Sequence, residues 1–261
     1  MRRSPREDQP RQRSGHHRVI LEGRAALVTG GAHRVGRAIT LALAAAGMRL
    51  VIHYHASADE AEETAGMVRD LGSSARIVQA DLRLAGEPER VVRESAALLG
   101  QLDVLVNSAA VMVRTPLGKV TVAEWDDMFA LNLRAPFFAC QAAAEVMAEQ
   151  GGAIVNIADL AAFETWPSYI PHGVSKAGVV QLTRALARVL GPKIRVNAIA
   201  PGAVLLPEGW DESAAEQLAG STPLGRLGSP EDVTEALLYL LRADYVTGET
   251  LIVDGGRHIR S

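Results

Sequence analysis

Short apolar runs rich in β-branched residues alternate with alanine-rich helical stretches from Arg24 to Val253, a pattern that points to βα units feeding a parallel sheet. The expected strands are Ala25–Thr29, Arg49–Tyr54, Ala75–Gln79, Val104–Asn107, Ala153–Ile157, Arg195–Ile199 and Leu251–Val253. Their apolar residues fall on successive positions, as strands need when helices cover both faces of a sheet. Helices are expected to begin near Val35, Asp59, Glu87, Val122, Ala135, Val174 and Pro230, the last announced by Ser229-Pro230-Glu231-Asp232. The fold class is therefore α/β, with a doubly wound, seven-stranded parallel sheet. Segments 108–120, 159–172 and 202–222 read as the longer irregular connections, and each follows the carboxyl end of a strand, where ligands bind in such sheets.

A chain of 261 residues with 48% hydrophobic content can bury one large core, so residues 19–261 are expected to form a single domain. The net charge is −3, yet residues 1–18 hold Arg2, Arg3, Arg6, Arg11, Arg13 and Arg18 against Glu7 and Asp8. The segment 1–18 reads as a disordered basic tail, and the acidic body argues against nucleic acid as a partner. Charged and glycine residues such as Arg49 and Gly47 interrupt each apolar stretch, so no membrane span is expected. Cys140 is the only cysteine, which excludes an internal disulfide and a thiolate metal site and fits a reducing cytoplasm. No metal ligand set is called.

Thr29-Gly30-Gly31-Ala32-His33-Arg34-Val35-Gly36 joins the first expected strand to the first helix. Glycine there lets backbone approach a phosphate while the helix N-terminus offers free N–H groups, so the turn is expected to hold a pyrophosphate in a Rossmann fold. An NAD-selective sheet places an acid at the end of the second strand; here that end reads His53-Tyr54-His55-Ala56-Ser57. His33, Arg34, His55 and Ser57 are donors suited to a 2′-phosphate, which favours NADP(H). The competing reading makes His53, Tyr54 and His55 surface residues at a strand end.

Further motifs follow in order: Ala80-Asp81-Leu82, Asn107-Ser108-Ala109-Ala110, Asn132, Pro201-Gly202 and Val253-Asp254-Gly255-Gly256. Together with the glycine loop they make the chain resemble the short-chain dehydrogenase/reductase family from about Arg24 to Gly256. The resemblance implies a cofactor site that includes Gly30, Val35, Gly36, Asp81, Leu82, Asn107, Ala109, Lys176, Pro201 and Gly202. Asp81 is placed as an acceptor for the adenine amino group or as a cap of the next segment. Asn132 is placed as a structural and proton-relay residue at a helix break, or as an ordinary side-chain-to-backbone brace. Arg34 with His53-Tyr54-His55-x-Ser57-Ala58 is most similar to the NADPH-using pteridine reductases, although Ala56 stands where their motif has arginine. The resemblance also implies a homotetramer, or a dimer, built on the alanine-rich helices Ala135–Glu149 and Val174–Leu190.

The family uses a serine, a tyrosine thirteen residues later and a lysine four further on; this chain has Asp159, His172 and Lys176 at those offsets. Aspartate at the first position is again similar to pteridine reductases, whereas His172 is not. Residues 172 and 176 lie one helical turn apart, and Asp159 follows a strand end facing the same cleft. A free imidazole titrates near ~6.5, and a carboxylate beside it favours imidazolium, so an Asp159–His172 pair is suited to general-acid work. His172 is therefore expected to replace the tyrosine as proton donor, with Tyr169 or Asp159 alone as the alternative donors. The substrate wall is expected to draw on Met112, Arg114, Phe163, Trp166, Tyr169, Leu205, Leu206 and Trp210. Met112 stands where the resembling pterin binders stack a phenylalanine. The leading expectation is an NADPH-dependent reductase of a conjugated C=N or C=O substrate; a ketone or 3-oxoacyl reductase and a non-catalytic NADP(H)-binding regulator are the alternatives.

Overall fold

The computed structural model describes residues 19–205 and 212–259; the segment 1–18, Leu206 and Trp210 lie outside them. Seven parallel strands form one sheet: β1 (Ala25–Thr29), β2 (Arg49–Tyr54), β3 (Ala75–Gln79), β4 (Val104–Asn107), β5 (Gly152–Ile157), β6 (Ile194–Pro201) and β7 (Thr250–Val253). Their spatial order is β3-β2-β1-β4-β5-β6-β7. Eight helices are described: α1 (Arg34–Ala45), α2 (Ala58–Asp70), α3 (Glu87–Leu99), α4 (Val122–Phe129), α5 (Ala135–Val146), α6 (Ile170–Leu190), α7 (Glu212–Ala219) and α8 (Pro230–Arg242).

The two faces of the sheet bury separate apolar layers. Ile39 and Leu43 of α1, Ala61 of α2 and Leu237 of α8 pack on one face with Val28, Ile52 and Val106. Val91 of α3 and Ala139 and Ala143 of α5 pack on the other with Leu27, Leu105 and Ile154. Every residue of β1 and β4 is buried, which is why both strands read as apolar up to their last residues, Thr29 and Asn107. Each fully buried Leu or Ile contributes about 1.5–3 kcal/mol relative to exposure.

Because β2 and β3 extend from β1 in one direction and β4 through β7 in the other, a crevice opens where β1 and β4 part. Thr29 Oγ1 ties the two edges of that crevice, accepting from the N–H groups of Ser108 at 3.0 Å and Ala109 at 3.1 Å.

Two helical features differ from the sequence reading. Helix α6 begins at Ile170, not Val174, because Pro171 falls in the first turn, where its missing N–H has no intrahelical partner to lose. Within the segment read as irregular, 202–222, helix α7 occupies Glu212–Ala219. The expected start of α8 is borne out: the Ser229 N–H donates to Asp232 Oδ2 at 2.8 Å in a capping arrangement.

Candidate active site

A cavity of about 460 Å³ lies over the β1–β4 crevice. Gly30, His33, Arg34, Val35 and Gly36 line it from the glycine turn, and His55, Ser57, Asp81, Leu82 and Ala109 from the ends of β2, β3 and β4. A Cβ built on Gly36 would lie 2.0 Å from the Gly30 carbonyl oxygen, so only glycine lets α1 start this close to the turn. Arg34, at the first position of α1, has φ 53°, the left-handed region that normally favours glycine. The cation is thus carried on the helix N-terminus at the cost of a strained backbone.

Asp81 is clamped by Arg83: its Oδ1 accepts from the Arg83 backbone N–H at 3.0 Å and Nε at 2.9 Å, and its Oδ2 accepts from a terminal guanidinium nitrogen at 3.1 Å. The Arg83 guanidinium holds the Asp81 carboxyl below the ordinary carboxylate range. Asp81 does not cap α3, whose N-cap is Gly86; its carboxylate closes the turn onto Arg83. Arg83 itself lines the cavity and was not singled out from the sequence.

His53 is a buried strut, contrary to the surface alternative. Its Nδ1 accepts from the Gly30 N–H at 3.1 Å, and Nε2–H donates to the Ala80 carbonyl at 3.1 Å, so one imidazole joins the turns after β1 and β3. Burial lowers its pKa to about 4. Between that value and the ordinary ~6.5 the unfolded chain binds the extra proton, so the folded state loses up to about 3 kcal/mol as pH falls through this window. Denaturant midpoints measured at neutral pH and near pH ~4.5 should show this loss in the wild type and a flatter response in His53→Leu.

Asn107, read as a cofactor residue, turns its side chain inward: Nδ2 donates to Asn156 Oδ1 at 2.9 Å, tying β4 to β5. Pro201 is buried at the end of β6 and lines neither cavity described here, while Gly202 lines the second. Lys176 is buried also, with Nζ donating to the Ile157 carbonyl at 2.8 Å. Burial lowers its pKa to about 8, with the charge of Asp159 opposing the change. The buried thiol of Cys140 is pushed up to about 12, in keeping with a packing role.

The second cavity, about 440 Å³, adjoins Asp159 and is lined by Met112, Trp166, Tyr169 and Leu205 as expected, and also by Leu218 and Arg257. Arg114 and Phe163 do not line it; both are exposed. His172 does not line it either. The imidazole is 2% exposed and sits behind Asp159, its Nε2 3.5 Å from Asp159 Oδ2, while Asp159 Oδ1 accepts from the Ala161 N–H at 2.7 Å. Gly173 permits this approach, since a Cβ there would lie 3.0 Å from the Ala161 carbonyl.

The other face of His172 meets Asn132, which lies in a π-helical turn (Ala130–Arg134) between α4 and α5. Asn132 Oδ1 accepts from the Val111 N–H at 2.9 Å, and Nδ2 donates to the Val111 carbonyl at 2.9 Å and to Ser175 Oγ at 3.1 Å. Those bonds use both amide hydrogens. His172 Nδ1, 3.2 Å from the same carbonyl, is therefore the donor toward it, and Nε2 is left for Asp159. Among the described residues Nε2 has no regular hydrogen-bond partner. The three residues expected around one atom are thus layered, with the carboxylate at the cavity and the imidazole beneath it.

Residues 30–258 match the family described as Enoyl-(Acyl carrier protein) reductase. A Streptomyces violaceoruber protein assigned as ketoacyl reductase 2 of the granaticin polyketide synthase is 38% identical over 248 residues, covering 91% of this chain and 97% of its own length. Among solved structures, a short-chain dehydrogenase/reductase from Serratia marcescens is similar with TM-score 0.87 and 34% identity, over 92% of this chain and 100% of that one. FolM alternative dihydrofolate reductase 1 from Brucella canis, complexed with NADP, gives TM-score 0.88 and 33% identity, over 93% of this chain and 96% of that one.

Proposed function

Because the chain belongs to the short-chain dehydrogenase/reductase family of oxidoreductases, we propose that it is an NADP(H)-dependent reductase of a compact conjugated C=N or C=O substrate, with Asp159 as proton donor and His172 as the group that recharges it. When bound, the nicotinamide supplies the hydride. The Asp159–His172 contact carries the reading. With Nδ1–H directed to the Val111 carbonyl, Nε2 faces Asp159 Oδ2 at 3.5 Å, a separation across which a proton can pass between imidazole and carboxylate. The carboxylate stands at the wall of the cavity, and the buried ring stays out of the substrate's way.

The residues present fit a dinucleotide phosphate: the close approach at Gly36, the N-terminus of α1 and the donors His33, Arg34, His55 and Ser57 all border one cavity. Lys176 would hold ribose hydroxyls, losing its charge above pH 8 or so. The likeness to FolM supports the pteridine reductase-like form of this reading, as does aspartate at position 159. The apolar Met112, Leu205 and Leu218 in the cavity and the ketoacyl reductase relative favour the ketone or 3-oxoacyl alternative. Assembly through α5 and α6, whose exposed Phe137 and Val174 lie on their outer faces, belongs to the same reading.

Consumption of NADPH and of NADH, followed by absorbance with dihydropterins, simple diketones and keto esters, tests the proposal. Arg34→Gly should weaken NADPH binding about tenfold to a hundredfold, the worth of a charge-assisted hydrogen bond, and leave NADH unchanged. Its melting temperature should not fall, because glycine relieves about 1–2 kcal/mol of left-handed backbone. NADPH binding without oxidation of any substrate in the panel would refute the reductase.

A further inference from the structure

We propose that Arg257 selects substrates that carry a second planar oxygen acceptor, a carboxylate or an ester carbonyl, beside the bond to be reduced. The inference rests on the reading of the Asp159 cavity as the substrate chamber. Arg257 follows β7 and the Gly255–Gly256 turn, where φ values of 65° and 85° bring the chain back toward the site. Its guanidinium lies 5.5 Å over the Trp166 ring, and one terminal nitrogen is 3.3 Å from Glu164 Oε2. Trp166 Nε1–H donates to the same oxygen at 2.7 Å. Indole and carboxylate thus hold the guanidinium in a fixed plane at little further entropic cost.

A guanidinium has five N–H donors. Among the described residues, the Glu164 ion pair is the only polar partner of this one, although the side chain is 21% exposed and the residue lines the cavity. Unfilled donors in a chamber walled largely by apolar side chains favour a ligand that brings an acceptor. Around them the walls are the apolar Met112, Leu205 and Leu218, with Asp159 as the acid. A simple ketone engages Asp159 alone, whereas a keto acid or keto ester engages both. Glu164 offsets the guanidinium charge, so the native chamber accepts neutral carbonyls as well as anions.

The test is equilibrium binding, with and without saturating NADP⁺, of acetoacetate, methyl acetoacetate and a plain methyl ketone of equal length, read by calorimetry. The two oxygen-rich ligands should bind about tenfold tighter than the ketone, the worth of one charge-assisted hydrogen bond. Arg257→Met should erase that difference, and Arg257→Lys should keep most of it. Glu164→Gln, which removes the offsetting charge, should raise acetoacetate affinity several-fold over the ester; a merely structural trio would lose affinity for all three. Equal binding of the three ligands by the wild type, an absence of binding, or discrimination that survives Arg257→Met would overturn the proposal. Tight ester binding without turnover would refute the reductase reading and leave this one standing.

Discussion

Asp159→Asn is expected to lower kcat for reduction by about 10²–10⁴-fold, the range a positioned general acid supplies. Dinucleotide affinity should hardly change. The amide keeps the shape of the carboxylate, and its oxygen can still accept from the Ala161 N–H, so the turn Leu160–Ala162 stays in place. What it lacks is an acidic proton. His172→Ala should cost less, because Asp159 still borders the cavity and can be recharged by water, but the pH dependence of kcat should change as the carboxyl loses its buried partner. Single-turnover rates across a pH series, with dissociation constants measured separately, distinguish the two effects. If Asp159→Asn keeps the wild-type rate, the donor lies elsewhere, and Tyr169, which borders the same cavity, is the next residue to change to phenylalanine.

That layered pair shows where sequence spacing stops being informative. The interval from Asp159 to His172 and Lys176 gives a shared direction, because one helical turn separates the last two and the first follows a strand. Depth is another matter. Burial of the imidazole depends on the loop that carries Val111, on the π-helical turn that carries Asn132 and on Gly173 admitting the Ala161 carbonyl, contacts that join distant stretches of chain. The strands were readable because burial on both faces demands unbroken apolar runs, and their edges moved by only a few residues. The start of α6 was misread because a proline that looks like loop punctuation is equally at home in a helix's first turn.

The cofactor end shows the same division between local and distant information. Glycine-rich turn, helix start and missing acid are local features, and the residues chosen from them do border one cavity. The competing reading places His53 at the surface; its role as a strut between Gly30 and Ala80 joins the turns after β1 and β3, which are distant in sequence. Asn107 enters the expected cofactor site by resemblance, and its amide completes a polar contact with Asn156 inside the sheet. An unpaired amide buried there would cost about 1–3 kcal/mol, and the pairing decides the direction of the side chain. Arg257 escaped notice because its bond to Glu164 brings the end of the chain to a loop encoded far upstream.

Gly36→Ala is expected to abolish tight dinucleotide binding and to destabilise the fold by about 1–3 kcal/mol or more, because the added methyl meets backbone and not a side chain that can swing away. The Cβ would stand 2.0 Å from the Gly30 carbonyl oxygen. Relief requires α1 to back away from the turn, which also strains the bond from Thr40 Oγ1 to the carbonyl of Gly31 at 3.1 Å. The N–H groups at the helix start then leave the cavity where an anion would be held. Gly66→Ala supplies the contrast. Gly66 lies within α2, and a Cβ there has no atom within 4 Å to meet, so alanine should stabilise the protein by up to about 1 kcal/mol through helix propensity alone. Thermal melts and NADPH titrations of the two variants should therefore move apart: Gly36→Ala loses both stability and affinity, and Gly66→Ala gains stability with affinity intact. A Gly36→Ala protein that melts and binds like the wild type would mean that the turn does not need this close approach, and the phosphate site would have to be sought elsewhere along the sheet edge.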